Sequence, residues 1–324
     1  MKRRRVRIVG LFLLPVFLGF LGPGPVAAQR VEIQLMTASP GGVWFTLGTS
    51  MTEILQSALP NLSMSVGPGG AITNQMAIEM GRSKMGFVHS VSSIMGWRGE
   101  EPFKRPTPKV RWFASIGGAH LHFITLRSAN LRFISELKGK RLATLVKGNF
   151  GELAARMALE AHGLSYKDMS KVSYGSFQDG INQLRDGHAD VFVGMMSVPT
   201  GSVMELAATR PVRLLSFAPG KVQALAAKNP GFAPSTVPVG AYQGMDLPAE
   251  TVTNYYGVLV AADLPESLVY DMAKALMDKA DRFISAVAAN KWMTAKDLAK
   301  NTTSGVIPYH PGAEKLYRER GLLN

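Results

Sequence analysis

The stretch from 38 to 55, ASPGGVWFTLGTSMTEIL, holds the first residues that could act on another molecule. Gly41 and Gly42 let a ligand approach the backbone, and the bare N–H groups of a first helical turn attract an anion. Val43, Trp44 and Phe45 follow at once, so bulky side chains stand ready to wall the apolar part of a guest. An ordinary tight strand-to-helix connection has the same pattern. A second such turn, Gly148, Asn149, Phe150 and Gly151, precedes the stretch ELAARMALEAHG, and its N–H groups are the leading candidates to hold a carboxylate. Gly70 and Ala71 open a third helical stretch, in which Asn74 offers an amide able to donate and accept. Ser90 stands at the carboxyl end of a strand, and Ser197 and Pro199 follow the strand DVFVGMM, which is where α/β sheets bind ligands.

Turnover chemistry finds less support. His120 and His122 share one face of a strand, yet the sequence places no carboxylate or third histidine beside them, so no metal is expected. Ser90 beside His89 is not a hydrolase signature, because no Gly-x-Ser-x-Gly elbow occurs. The phosphate-loop and dinucleotide fingerprints are absent too, so no cofactor and no enzyme activity are expected. Arg127 and Arg156 could pair with a carboxylate but read more simply as surface charges, and Glu152 as a charge favourable to a helix start. Met195 and Met196 read as core or as adaptable apolar lining.

Strand and helix alternate along the chain. VEIQLMTAS, LSMSVGP and KMGFVHS read as strands, with helices between them carrying Leu47, Met51, Ile54, Leu55 and Ala58, and then AITNQMAIEM. After the proline-rich loop EEPFKRPTPK, VRWFASIGG and LHFITLR read as two strands. The pattern then restarts with RLATLVKG and a helix turning Leu153, Ala154, Met157, Ala158 and Ala161 inward. FQDGINQLRDGHADVFVGM loosely echoes AITNQMAIEMGRSKMGFVHS. TVTNYYGVLVAA is an apolar strand able to cross back, and the tail is helical from about Pro265 to Asn290, with Leu268, Met272, Ala275, Leu276 and Phe283 as its stripe. The expectation is an α/β fold of two lobes facing across a cleft, with lobe one at 29–122 plus 251–324 and lobe two at 123–250, joined by a two-crossing hinge.

The first 28 residues read as a signal peptide, with MKRRRVR as the cationic region, an apolar run, and cleavage after Ala28. Whether export is general or twin-arginine, and whether the segment is instead retained as an anchor, stays open. Removing it lowers the formal charge from +13 to +8, a surplus that favours anionic partners. No interleaved Arg–aromatic motif points to nucleic acid. The chain has no cysteine, hence no disulfide and no thiolate metal site.

Taken together, GGVWFTLG, GPGGAITNQ, ISELKGKRLAT, GNFGELAARMALEAHGL, SVPTGSVMELA, VPVGAYQGM, LPESLVYDMAKALMD and IPYHPGAEKLYRERGL resemble, in order and spacing, the TAXI-type solute-binding proteins of TRAP transporters. The likeness runs from about Val31 to Leu322. It implies a periplasmic-binding-protein fold of type II character, a Venus flytrap that captures a carboxylate or amino acid. It also implies delivery to a TRAP-type membrane permease from the periplasm, without chemistry on the solute. Departures bear on the ligand. Trp44 and Phe45 replace two tyrosines of the family, Ala71 a serine, Val91 an acid in a Gln-Ser-Asp run, and GNFG a Gly-Ser-Gly-Thr turn. The site is therefore expected to be apolar, with Trp44 and Phe150 sandwiching the carbon skeleton of an acid, in a monomer. Two other roles for the same chain are a sensor for a signalling receptor and, more remotely, a hydrolase.

Overall fold

The computed structural model describes residues 30–38, 40 and 42–323, so the expected signal peptide, its cleavage point at Ala28 and Gly41 lie outside the described residues. The chain opens with β1 (Val31–Met36), α1 (Val43–Ala58), β2 (Leu62–Gly67), α2 (Ala71–Glu79), β3 (Met85–His89) and α3 (Ser90–Arg98). The long β4 (Val110–Leu126) leads to β5 (Arg141–Leu145), α4 (Phe150–Ala161), β6 (Lys171–Gly175), α5 (Phe177–Arg185) and β7 (Val191–Met196). Next come α6 (Gly201–Thr209), β8 (Val212–Leu214), α7 (Lys221–Lys228), β9 (Phe232–Val237) and the long β10 (Ala249–Ala261). The chain closes with α8 (Glu266–Asp278), α9 (Ala280–Ser285), α10 (Ala295–Ala299) and α11 (Pro311–Glu319).

Among the described residues the strands form one sheet in the order β2-β1-β3-β10-β4-β7-β5-β6, with β8 on β4 and β9 on β10. β1 is parallel to β2 and β3, and β5 is parallel to β6 and β7, so each half is a small parallel α/β unit. The antiparallel pair β4 and β10 runs through the middle and belongs to both. This is the two-lobe fold with two crossings. The hand-overs expected near 122 and 251 lie within β4 and β10.

The halves bury separate cores. Leu35, Leu47, Met51, Phe87 and Phe283 belong to the first, and Phe123, Ala154, Val193 and Phe217 to the second. Trp112 of β4 is fully buried in the first core and lies against Gly257 of β10, where a Cβ would stand 1.9 Å from Cη2 of the ring. The pairing of β4 with β10 shifts register beside that glycine, between Tyr256 and Gly257.

Some elements differ from expectation. VRWFASIGG and LHFITLR are one strand, because Gly117 and Gly118 continue the ladder against Tyr256 and Tyr255. Ser90–Arg98, which shows no helical period, is a helix buried on nearly every side. α4 turns Ala154, Ala155, Ala158 and Leu159 inward and leaves Leu153 and Met157 half-buried, so the buried stripe is rotated from the expected one. Ala58 is exposed, and Val269 is buried in place of Leu268.

Candidate functional site

A cleft of about 540 Å³ opens between the halves. From the first half it takes Ala38, Pro40 and Gly42 before α1, Trp44 on α1, Gly69 to Thr73 around the start of α2, and His89 at the end of β3. The second half supplies Leu145, Gly148 to Gly151 at the start of α4, Phe177 and Met195, while Tyr256 comes from β10. The helices α1, α2 and α4 are among those that begin at its walls. No Asp, Glu, Lys or Arg side chain is among the described residues lining it.

The start of α2 is the most open of the three. Gly70, its N-cap, contributes no side chain, and the N–H groups of Ala71, Ile72 and Thr73 take no partner among the described residues. Each is an orphan donor at the positive end of a helix dipole. Asn74 holds this turn in place. Its Oδ1 accepts from the Gly70 N–H at 3.0 Å, and its Nδ2 donates to Thr37 O and Phe87 O, both at 2.8 Å. Only glycine suits position 69, where a Cβ would stand 2.0 Å from Asn74 Oδ1.

α4 starts differently. The Asn149 N–H donates to Val146 O at 3.0 Å, closing a turn whose third residue, Gly148, has φ +85°, a conformation that favours glycine. Asn149 Oδ1 caps the helix by accepting from the Gly151 N–H at 2.8 Å. Of the four expected N–H groups in this turn, Gly148 and Phe150 remain without a partner among the described residues.

Rings fill the middle. Trp44 lies 4.8 Å from His89, and His89 stacks on Phe150 at 4.3 Å with 21° between planes. The group between Trp44 and Phe150 is thus the His89 imidazole, not open space for a guest's skeleton. Tyr256 meets Trp44 edge-on at 5.4 Å and His89 at 5.3 Å. Burial pulls the His89 pKa down to about 3, leaving the ring neutral, and pushes the Tyr256 phenol upward.

The sequence-selected residues divide accordingly. Gly42, Trp44, Gly70, Ala71, Gly148, Asn149, Phe150 and Gly151 meet around this one cleft. Asn74 is fully buried and its amide is spent on backbone groups, so it positions the turn rather than facing the cleft. Ser90 is also fully buried, donating to Gly231 O at 2.7 Å and accepting from the Tyr255 N–H. Val43 is exposed, and Phe45 lines a surface hollow with Glu53 and Arg282, away from the cleft. Ser197 and Pro199 lie past the lining, where Met195 is the nearest contributor, and Ser197 O accepts from Thr200 Oγ1.

Neither arginine is left for a guest: Arg156 pairs with Glu152 at 2.9 Å and Arg127 with Asp246 at 2.9 Å. His120 Nδ1 bonds Ser235 and Thr253, and His122 Nε2 bonds Tyr242, and no metal-holding cluster occurs among the described residues. Sequence reasoning passed over His89, Tyr256, Phe177 and the Ile72–Thr73 pair as lining. His89 was the detectable one, a polar residue at the carboxyl end of a strand.

Residues 35–321 match the NMT1-like family. Among solved structures, MatC of Rhodopseudomonas palustris with bound malate is similar at a TM-score of 0.53 and 12% identity, covering 91% of this chain and 99% of its own. The periplasmic sulfonate-binding protein SsuA of Methylobacillus flagellatus is similar at 0.51 and 12%, covering 91% and 96%. At that identity the likeness concerns the fold.

Proposed function

We propose that this chain, which belongs to the NMT1-like family, is an exported solute-binding protein that captures a small organic anion between its lobes and hands it to a membrane permease. One observation carries the reading: an interlobe cleft where α1, α2 and α4 begin and no charged side chain lines the walls among the described residues. The field there is that of helix ends, which attract negative charge. The anion's oxygens sit on the N–H groups of Ala71, Ile72 and Thr73, with Phe150, Phe177 and Met195 against its carbon body. A carboxylate without an ammonium group fits best, since no acidic side chain among the described lining residues could receive one. Trp44, Gly42 and Gly148 to Gly151 complete the wall, and the protein works in the periplasm as a monomer.

Of the two proteins similar in fold, MatC holds malate and SsuA is a sulfonate-binding protein, which agrees with an anionic guest and with binding rather than turnover. The resemblance to TAXI proteins favours a TRAP-type permease as partner. Thermal-shift and calorimetric screening of malate, pyruvate, phenylacetate and methanesulfonate, each acid beside its uncharged amide, tests the reading. The expected result is a stabilising acid whose amide does nothing, by about 2.7 kcal/mol at one hundred times its Kd. A panel in which amides or cations bind as well as acids overturns it. A flanking gene pair encoding an ATPase and its permease, in place of an ion-driven permease, would overturn the TRAP partner alone.

A further inference from the structure

The His89 ring sits in an uncharged cleft with one nitrogen tied to the wall, and the tie determines where its proton lies. Its role in recognition rests on the anion-binding reading of that cleft. Asn254 Oδ1 accepts from the Val91 N–H at 3.2 Å. A backbone N–H can only donate, so this contact fixes which end of the Asn254 amide is oxygen. Nδ2 therefore faces His89 Nδ1, 2.6 Å away. The Ser90 hydroxyl does not disturb the arrangement, because its one proton goes to Gly231 O at 2.7 Å while its oxygen accepts from the Tyr255 N–H.

An amide NH2 has no lone pair to offer, so His89 Nδ1 must accept. In a neutral imidazole the proton then stands on Nε2, on the far side of the ring from the wall. Nε2 has no partner among the described residues, and His89 lines the cleft. Protonating Nδ1 as well would set one N–H against another. Among the described residues in ring contact nothing offsets that cost: Trp44 and Phe150 carry no charge, and the Tyr256 phenol stays protonated.

We propose that His89 is the specificity-determining donor of the cleft, a neutral imidazole locked by Asn254 as the Nε2–H tautomer, which gives one hydrogen bond to an oxygen of the bound anion. It selects for an acceptor at that point of the guest without adding a charge, so ammonium and other donor groups are refused there. Asn254 acts through it as a positioning residue. Because the ring stacks on Phe150 of the opposite lobe, the same bond joins recognition to contact between the lobes.

The test has two arms that fail separately. Nitrogen-15 NMR of the histidine-labelled full chain without added ligand, with His89 identified by loss of its signals in His89→Phe, reads the proton directly. A neutral Nε2–H ring from pH 5 to 8, moving its proton to Nδ1 in Asn254→Asp, supports the proposal. An Nδ1–H ring or an imidazolium in the unaltered protein overturns it. In the second arm the tightest acid of malate, pyruvate and phenylacetate is titrated into His89→Phe and His89→Gln. The expected loss is about tenfold or more for phenylalanine, in keeping with a hydrogen bond to a charged group, with partial recovery by glutamine, which keeps an N–H. Equal affinity in all three proteins overturns the donor role. If none of the acids binds the unaltered protein while the tautomer is as stated, the functional reading is what fails.

Discussion

Around the cleft, the two halves of the molecule begin their helices in different ways. In the first half, α1 and α2 start from Gly42 and Gly70, which have no side chain to cap with. In the second, Asn149 caps α4, and α5 starts from Ser176 in a reciprocal box, with Asp179 Oδ2 accepting from the Ser176 N–H at 2.8 Å. Those hydrogen bonds hold the Asp179 carboxyl below its usual range, so a carboxylate of the chain's own already sits at that helix end. At the cleft the helix starts of the second half are capped by their own side chains, while those of α1 and α2 are not. The comparison teaches that affinity for an anion should come mainly from the first half, while the second closes over the guest with Phe150, Phe177, Leu145 and Met195.

The largest effect should follow from cutting the pin of the open side. Asn74→Ala leaves Thr37 O and Phe87 O without their side-chain donor in a buried place. A loss of about 3 kcal/mol in urea unfolding is expected, together with loss of anion binding as the Gly70 turn drifts. Retained stability would break the account of Asn74.

Acid should act next, and through His89. Its folded pKa of about 3 lies below that of an exposed histidine, so the unfolded chain takes up the proton first as pH falls. The stabilisation is complete above about pH 6.5 and declines below it, by roughly 2 kcal/mol at pH 5. His122, held near 4 by burial, acts in the same direction, so the measurement is the difference in pH slope between the unaltered protein and His89→Phe. Identical slopes would contradict a neutral His89.

A smaller and more selective change separates the halves directly. Ala71→Pro removes one open N–H at the first position of α2, where proline is well tolerated and the preceding Gly70 is already extended at φ −173°, ψ 157°. Anion affinity should drop about tenfold, with stability within about 1 kcal/mol of the original. Asn149→Ala on the other side should do the reverse, costing about 1 kcal/mol of stability and less than threefold in affinity. If the two variants exchanged these outcomes, the second half would be the anion's seat.

The alternation of strand and helix was legible because each parallel unit repeats a buried run followed by a 3.6-residue stripe, as in β1 and α1. α3 was not, since a helix buried on nearly all faces has no stripe to read. The rotation of α4 follows from its small residues. Ala154, Ala155 and Ala158 pack closely against the sheet, although Leu153 and Met157 are the more hydrophobic choice for a core. At the site, glycine turns pointed to the right corners of the cleft. The division of labour between them depends on contacts far apart in sequence. Asn74 is spent on Thr37 and Phe87, and His89 gains its meaning from Asn254, 165 residues away. No local pattern carries such pairings.

The most direct measurement is a crystal structure grown with the tightest acid from the panel. The account predicts its oxygens within hydrogen-bond distance of the Ala71, Ile72 and Thr73 N–H groups, in a cleft with no cationic side chain in contact. An acid held by an arginine or lysine, or seated only on the Gly148–Gly151 turn, would contradict it.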